Sequence, residues 1–454
     1  MKLVILGAGP GGYGAAARAA RLGAEVTVIE KSQVGGTCLN WGCIPTKSIA
    51  ASAAAYDRAK RLSDFGILLK GDLTPDMRQI IERKNRVVST QIKGIHAFFK
   101  SKGIKIIEGR GKILSPDRLS VELADGSRQE LHADKIIIAT GSRPAALPGM
   151  EYDGEKILSS DHAVNMEFIP DSMAIIGAGV IGSEFACIFR QLGAEVTMIE
   201  MMPRALMTED EEISGIFMRE LKKMKIRLIT GAKTEKITKN DNTVSLELSS
   251  GDSLTVQKVL VSIGRALNTA DIGLENTDIK PTPKGVIHVD EHLRTASDNI
   301  YAVGDITGKM MLAHLATRQG VIAAENACGL NPAISYTCVP AGVFTSPEIG
   351  SAGLREEEAK ERGLDIKVGR FQYRTLGKAH ADGNITGLIK IISDVHTDKV
   401  LGMHIIGAHA ADLVHEGALA INAGLKTSDI ADTIHAHPTL AEGIMEAASD
   451  IASQ

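Results

Sequence analysis

The sequence predicts an α/β protein built around a βαβ unit that occurs twice. Three observations predict it. Residues 3–30, LVILGAGPGGYGAAARAARLGAEVTVIE, and residues 173–200, MAIIGAGVIGSEFACIFRQLGAEVTMIE, align without a gap at an offset of 170, and LGAEVT recurs letter for letter. Each copy is a short apolar run, a G-x-G-x-x-G turn, a helical stretch and a second apolar run. Each second run closes on a glutamate, Glu30 or Glu200, 23 residues past the first glycine of its turn.

Strand, glycine turn, helix and distal acid together form a dinucleotide-binding fingerprint. Gly7 and Gly177 make the tight turn, Gly9 and Gly179 let backbone approach a pyrophosphate, and Gly12 and Gly182 pack helix on strand. The helix N-terminus then faces the phosphates. Glu30 and Glu200 are placed to accept a hydrogen bond from a ribose 2′-OH. A carboxylate at Glu200 repels a 2′-phosphate, and no arginine directly follows it; Arg204 comes four residues later. The second site is therefore expected to take NAD rather than NADP. Two fingerprints imply two dinucleotides, and electrons passing between them.

Composition narrows the setting. A chain of 454 residues should hold about three domains. A net charge of −4 leaves no basic footprint, so nucleic acid is not expected as a partner. The 46 glycines against 14 prolines point to tight turns where backbone meets a ligand. No run reaches the roughly 18 apolar residues of a membrane span, and the opening MKLVILGAGPGG leaves no room for a cleavable signal. A cytoplasmic protein with no membrane partner is expected. Five cysteines make no disulfide scaffold, and a disulfide in that compartment is usually catalytic or redox-sensing.

Residues 35–45, GGTCLNWGCIP, set Cys38 and Cys43 five positions apart between glycines and ahead of a proline. Half a zinc site, a structural disulfide, two unrelated thiols and a redox pair compete. The zinc reading lacks ligands, because no second Cys or His pair has the required spacing, and no metal is expected. Cys187, Cys328 and Cys338 lie in apolar contexts and are expected to be buried core thiols. Five residues of regular helix rise about 7.5 Å, beyond the ~6.8 Å that a disulfide spans between Cα atoms. If Cys38 and Cys43 pair, a distorted turn must separate them, with Gly42 supplying the slack.

Two later stretches suit a flavin partner. KIIIATGSRP (135–144) is a strand running into a turn at Thr140 and Gly141, a return from the first unit to the second. NIYAVGDITG (299–308) is a strand ending at Gly304 and Asp305, where a carboxylate can meet a sugar-like hydroxyl chain.

GGTCLNWGCIPTK, the doubled fingerprint and YAVGD resemble the class I pyridine nucleotide–disulfide oxidoreductases. MLAHLATRQG (311–320), GMHIIGAHAADLVHEGALAI (402–421) and IHAHPTLAEGIMEAA (434–448) place the likeness in their dihydrolipoamide dehydrogenase branch, and it runs from Met1 to Ala448. The resemblance implies two Rossmann-like domains, for FAD and NAD, and a C-terminal α+β interface or dimerisation domain. It divides the chain into 1–142 (first part of the FAD domain), 143–268 (NAD domain), 269–335 (central domain completing the FAD site) and 336–454 (interface domain). It implies tightly bound, non-covalent FAD, held also by Thr140, Gly141, Asp305 and Ala313, and NAD, held also by Gly264.

The resemblance also implies a redox-active disulfide Cys38–Cys43. Cys38 is then the interchange thiol and Cys43 the thiolate lying against the flavin. Lys47, one helical turn past Cys43, sits near flavin N5 with Glu184 as its partner. His437 is the general base, its imidazole oriented by Glu442, while His435 stays structural. The base comes from the second subunit of an obligate homodimer. The implied reaction oxidises protein-bound dihydrolipoyl groups to lipoyl and reduces NAD⁺ to NADH. The lipoyl group must come from a separate protein, of a 2-oxoacid dehydrogenase complex or a glycine cleavage system. The alternatives are an NAD(P)H-dependent reductase of another disulfide and a non-catalytic flavoprotein subunit. Trp41 departs from the small aliphatic residue common in the family, which leaves open a non-lipoyl disulfide.

Overall fold

The computed structural model describes residues 1–146 and 148–453. Three five-stranded sheets form its framework. The first is parallel, in the order Ile300–Ala302, Lys135–Ile138, β1 (Lys2–Leu6), β2 (Glu25–Glu30) and β3 (Lys105–Glu108). The second is also parallel, in the order Ile157–Leu158, Lys258–Val261, Ser172–Ile176, Glu195–Glu200 and Arg227–Thr230. Both central strands are apolar runs buried on both faces, as parallel strands covered by helices must be.

The internal repeat reaches further than its sequence signature. Between β3 and Lys135–Ile138 the chain makes a three-stranded antiparallel excursion through Arg110–Ser115, Arg118–Glu122 and Arg128–His132. A matching excursion, Thr234–Lys239, Val244–Leu248 and Ser253–Val256, interrupts the second sheet at the equivalent place. Four strands of each sheet thus correspond in order. The fifth does not: the first sheet takes it from far downstream and the second from just upstream.

The C-terminal sheet is antiparallel, in the order Ala341–Val343, Glu348–Gly353, Val400–Gly407, Leu388–Asp394 and Ile366–Gln372. Helices Ala410–Ala423 and Glu442–Ala452 pack on it.

Four helices of the first region position the site. They are α1 (Pro10–Arg21), α2 (Gly36–Asn40), α3 (Cys43–Ala59) and α4 (Met77–Ser101). Asp76 caps α4, its carboxylate accepting from the backbone of Arg78 and Gln79 at 3.0 and 3.2 Å. One apolar core joins Ile49 and Ala53 of α3 to Phe185 and Phe189 of helix Val180–Leu192 and to Val343 and Ile349 of the C-terminal sheet. That shared core fixes α3 against the second unit. A buried ion cluster makes the other tie: Lys390, in the C-terminal sheet, donates to both oxygens of Asp210 at 2.9 Å and lies 2.7 Å from Glu356. Asp210 in turn caps helix Glu211–Lys223 of the second unit. Burial pushes the Asp210 carboxyl up, but the ammonium outweighs it and holds the group below the usual carboxylate range.

Candidate active site

A cavity of about 1110 Å³ opens at the carboxyl ends of the first sheet's strands, where open parallel sheets take their ligands. Gly7, Gly9, Glu30, Lys47, Thr140, Gly141, Asp305 and Ala313, all expected at a flavin, line it, and Cys38, Cys43 and Glu184 line it too. Gly12 lies behind the wall, where a Cβ would stand 1.9 Å from the Gly7 carbonyl oxygen, so helix and strand meet there only through glycine. The nearest atom to a Cβ built on Gly9 is the Gly36 Cα at 3.8 Å. The N-terminus of α1 carries no acidic residue in its first turn and no side-chain cap, so its amides are left for an anion. Glu30 accepts from the Ala8 and Ser32 amides, both at 2.8 Å, which fixes its carboxylate at the rim. These features fit a bound dinucleotide such as FAD.

Asp305 is held by two residues that were not among the expected site positions. Its carboxylate accepts from the Ser142 hydroxyl, and Arg265 donates to Ser142 Oγ at 2.6 Å and to Ser142 O at 2.9 Å. The only local signal is position, since Ser142 directly follows Gly141 and Arg265 directly follows Gly264.

The dithiol segment is broken as its spacing requires. α2 ends at Asn40, Trp41 and Gly42 leave helical geometry, with Gly42 at φ −122° and ψ −107°, and α3 starts afresh at Cys43. The two sulfurs are not joined in this structure. The Cys38 thiol donates a hydrogen bond to Cys43, which lowers the Cys43 pKa to about 7. Burial opposes this shift, while Lys47 assists it and Glu184 resists it. The same hydrogen bond, with burial, drives the Cys38 thiol up. Lys47 on α3 lies 2.8 and 2.7 Å from the two Glu184 oxygens, and the Phe344 amide donates to Glu184 at 3.0 Å. Of the remaining cysteines, Cys187 and Cys338 are buried as expected, whereas Cys328, at the end of helix Ala313–Ala327, is only half-buried. Burial pushes Cys187 up to about 12 and keeps it a thiol.

The three glycines of the second fingerprint and Glu200 lie outside this cavity, although Val180 and Ile181 of the same turn line it. A Cβ on Gly182 would stand 2.0 Å from the Gly177 carbonyl oxygen, the same fit as at Gly12, whereas no atom lies within 4 Å of a Cβ built on Gly179 or Gly264. Helix Val180–Leu192 begins without an acid or a side-chain cap. Glu200 accepts from the Ala178 amide at 2.6 Å and the Met202 amide at 2.9 Å. Arg204 is committed elsewhere: it donates to the carbonyls of Leu206 and Glu209 at 3.1 and 2.9 Å and pairs with Glu357 at 3.3 Å. Among the described residues the face therefore offers a diol acceptor and no free arginine beside it, which fits NAD.

The fold of one chain does not bring His437 to the cysteines. It stands on the C-terminal region with 79 % of its side chain exposed, its Nδ1 2.8 Å from Glu442 Oε1. The Thr439 amide donates to the other Glu442 oxygen at 2.8 Å, and with His437 it holds the Glu442 carboxyl below its usual range. His435 pairs with Glu416 at 3.1 Å and is nearly buried.

A family model described as pyridine nucleotide-disulphide oxidoreductase matches residues 1–320, and the model of that family's dimerisation domain matches residues 339–448. Dihydrolipoyl dehydrogenase of Bacillus subtilis (strain 168) is 43 % identical over 460 residues, covering 98 % of this chain and 97 % of the relative. Its counterpart from Chlorobaculum tepidum is 38 % identical, covering 99 % and 96 %. Among solved structures, LpdA from Mycobacterium tuberculosis superposes with a TM-score of 0.93 at 30 % identity, covering 99 % of both chains. The HOCl-induced flavoprotein disulfide reductase RclA from Escherichia coli superposes at 0.89 with 29 % identity, again over 99 % of both chains.

Proposed function

The chain belongs to the pyridine nucleotide-disulphide oxidoreductase family, and from that premise we propose that it oxidises protein-bound dihydrolipoyl groups to lipoyl while reducing NAD⁺ to NADH. The observation that carries this reading is the cysteine pair, Cys38 on α2 and Cys43 at the start of α3, set on the wall of a dinucleotide-sized cavity beside Lys47 and Glu184. The near-full-length likeness to dihydrolipoyl dehydrogenases supports the substrate. The matched dimerisation domain makes the working unit a homodimer.

In this reading His437 of the partner subunit takes a proton from one substrate thiol. Its Nδ1 is held by Glu442, so Nε2 is the atom free to accept, and the carboxylate stabilises the imidazolium that results. The substrate thiolate attacks Cys38 of the oxidised enzyme. The Cys38–Cys43 bond breaks, a mixed disulfide forms, and Cys43 leaves as a thiolate. The second substrate thiol, releasing its proton to solvent, attacks the substrate sulfur of that mixed disulfide. Lipoyl departs with its own sulfurs bonded, and Cys38 is protonated from the imidazolium. The enzyme is then left as a Cys38 thiol donating to a Cys43 thiolate. The Lys47 ammonium favours that thiolate, and Glu184 holds the ammonium in place. Bound FAD, held by Gly7, Gly9, Glu30 and Asp305, would accept the electron pair from the dithiol and deliver it as hydride to NAD⁺. Ser142 and Arg265 orient Asp305.

The lipoyl carrier in this proposal belongs to a cytoplasmic 2-oxoacid dehydrogenase complex or glycine cleavage system. The deciding assay is NAD⁺ reduction by free dihydrolipoamide, with NADP⁺ and a His437→Gln variant in parallel. Turnover is expected with NAD⁺ and not NADP⁺, and should fall on the order of 100-fold or more in the variant. Bound flavin without dihydrolipoamide turnover would discard the substrate and leave a reductase of some other disulfide.

A further inference from the structure

The inner face of α4 grips the dithiol region. α4 packs on α2 and α3, and the Arg83 guanidinium donates to Ser48 O and Ser48 Oγ of α3, both at 3.0 Å. Its outer face has a different character. Arg86, Lys93 and Lys100 recur every seven residues and are all exposed, so they fall on one stripe, about 10.5 Å apart and about 21 Å end to end. Lys102 follows at the C-cap, also exposed. Among the described residues none of these four cations has a carboxylate partner within ion-pair distance, and Lys102 is joined by backbone alone. Glu82 is the only acid in the helix. The stripe is not part of a general basicity, because the whole chain carries −4. Most exposed positions between the cations are short, Ser89, Thr90, Gly94 and Ala97, with Gln91 and His96 the longer side chains among them.

We propose that this outer face of α4 is the docking surface for an acidic lipoyl-bearing carrier domain, whose carboxylates seat on Arg86, Lys93, Lys100 and Lys102. The proposal rests on the dihydrolipoyl reading and adds where the carrier is held. Charge complementarity selects an acidic partner. A carrier held on α4 also sits over the helix that contacts α2, the element bearing Cys38. Isolated cations on a helix surface attract mainly before contact, so the surface should act on encounter rate and depend strongly on salt.

The test is the triple variant Arg86→Glu/Lys93→Glu/Lys100→Glu in the flavin-loaded dimer. It is assayed with a reduced recombinant lipoyl domain of net negative charge and with free dihydrolipoamide, at low and high ionic strength. At low salt kcat/KM for the domain should fall about tenfold or more, while free dihydrolipoamide is turned over as in the parent protein. High salt should erase the difference. Equal kcat/KM for the domain in both proteins would overturn the proposal. So would an equal loss toward free dihydrolipoamide, which would place the effect at the dithiol itself. Titration with the oxidised lipoyl domain reads binding without turnover. If neither protein oxidises dihydrolipoamide but the variant binds the domain more weakly, the reaction is wrong and the surface stands; equal binding sinks the surface. Weakened binding of duplex DNA or anionic vesicles with unchanged binding of the domain would also overturn it.

Discussion

The two βαβ repeats are built alike to within tenths of an ångström where they are tightest, and differ in what covers them. Gly12 and Gly182 meet the carbonyls of Gly7 and Gly177 in the same way. Glu30 and Glu200 each accept from the residue after their first glycine. Even the next loop docks alike, the Gly35 amide donating to Ala8 O and the Leu206 amide to Ala178 O, both at 2.9 Å. Beyond that loop the copies part. The first chain turns into α2 and α3, which roof a large cavity and leave Glu30 only 8 % exposed. The second turns into helix Glu211–Lys223, tied to the C-terminal sheet, and leaves Gly179 facing open space. One motif thus ends in two surroundings, one roofed and one open, and in the proposed reading that covering separates a retained dinucleotide from one that comes and goes.

The strongest way to break this comparison is to place the same methyl group in both turns. Gly12→Ala should leave a protein without flavin and without activity, since the clash there strains the roofed site by roughly 1–3 kcal/mol or more. Gly182→Ala meets an equal clash but should retain flavin and show mainly a raised KM for NAD⁺. Visible absorbance per chain together with steady-state kinetics reads both, and flavin loss from Gly182→Ala would show that the repeats are not independent. A smaller effect comes from the ion pair that joins them. Lys47→Met leaves Glu184, with 4 % of its side chain exposed, short of a partner, at a cost of about 1–3 kcal/mol of stability. It also removes a cation that favours the Cys43 thiolate while the Glu184 charge stays. The Cys43 titration should therefore move above about 7, seen as an upward shift in the pH midpoint for alkylation of the reduced enzyme; an unmoved midpoint would remove Lys47 from the account. The mildest test is Gly179→Ala, which meets no atom within 4 Å. Its Tm should be unchanged and its flavin retained, with NAD⁺ affinity about tenfold weaker as a methyl group enters space meant for a diphosphate.

The sequence was most readable where a contact is local. The glycine turns, the acids that end β2 and Glu195–Glu200, and the break between Cys38 and Cys43 all follow from spacing within about 30 residues. The rest of the repeat was hidden because β3 and Arg227–Thr230 are four-residue runs with no motif to mark them as equivalent. Ser142 and Arg265 escaped notice because their link spans 123 positions and neither belongs to a periodic pattern. Cys328 read as buried from its apolar neighbours, yet it caps a helix end, where one side of the residue faces out. His437 was legible as one half of a pair with Glu442, but one chain alone gives it nothing to act on.

The buried cluster of Lys390 with Asp210 and Glu356 has a mechanical meaning. An ammonium with 2 % of its side chain exposed, between the second unit and the C-terminal sheet, cannot slide without leaving a buried charge unpaired. The joint therefore behaves as a rivet rather than a hinge. The second unit and the C-terminal sheet are then set against each other when the chain folds rather than when a ligand arrives.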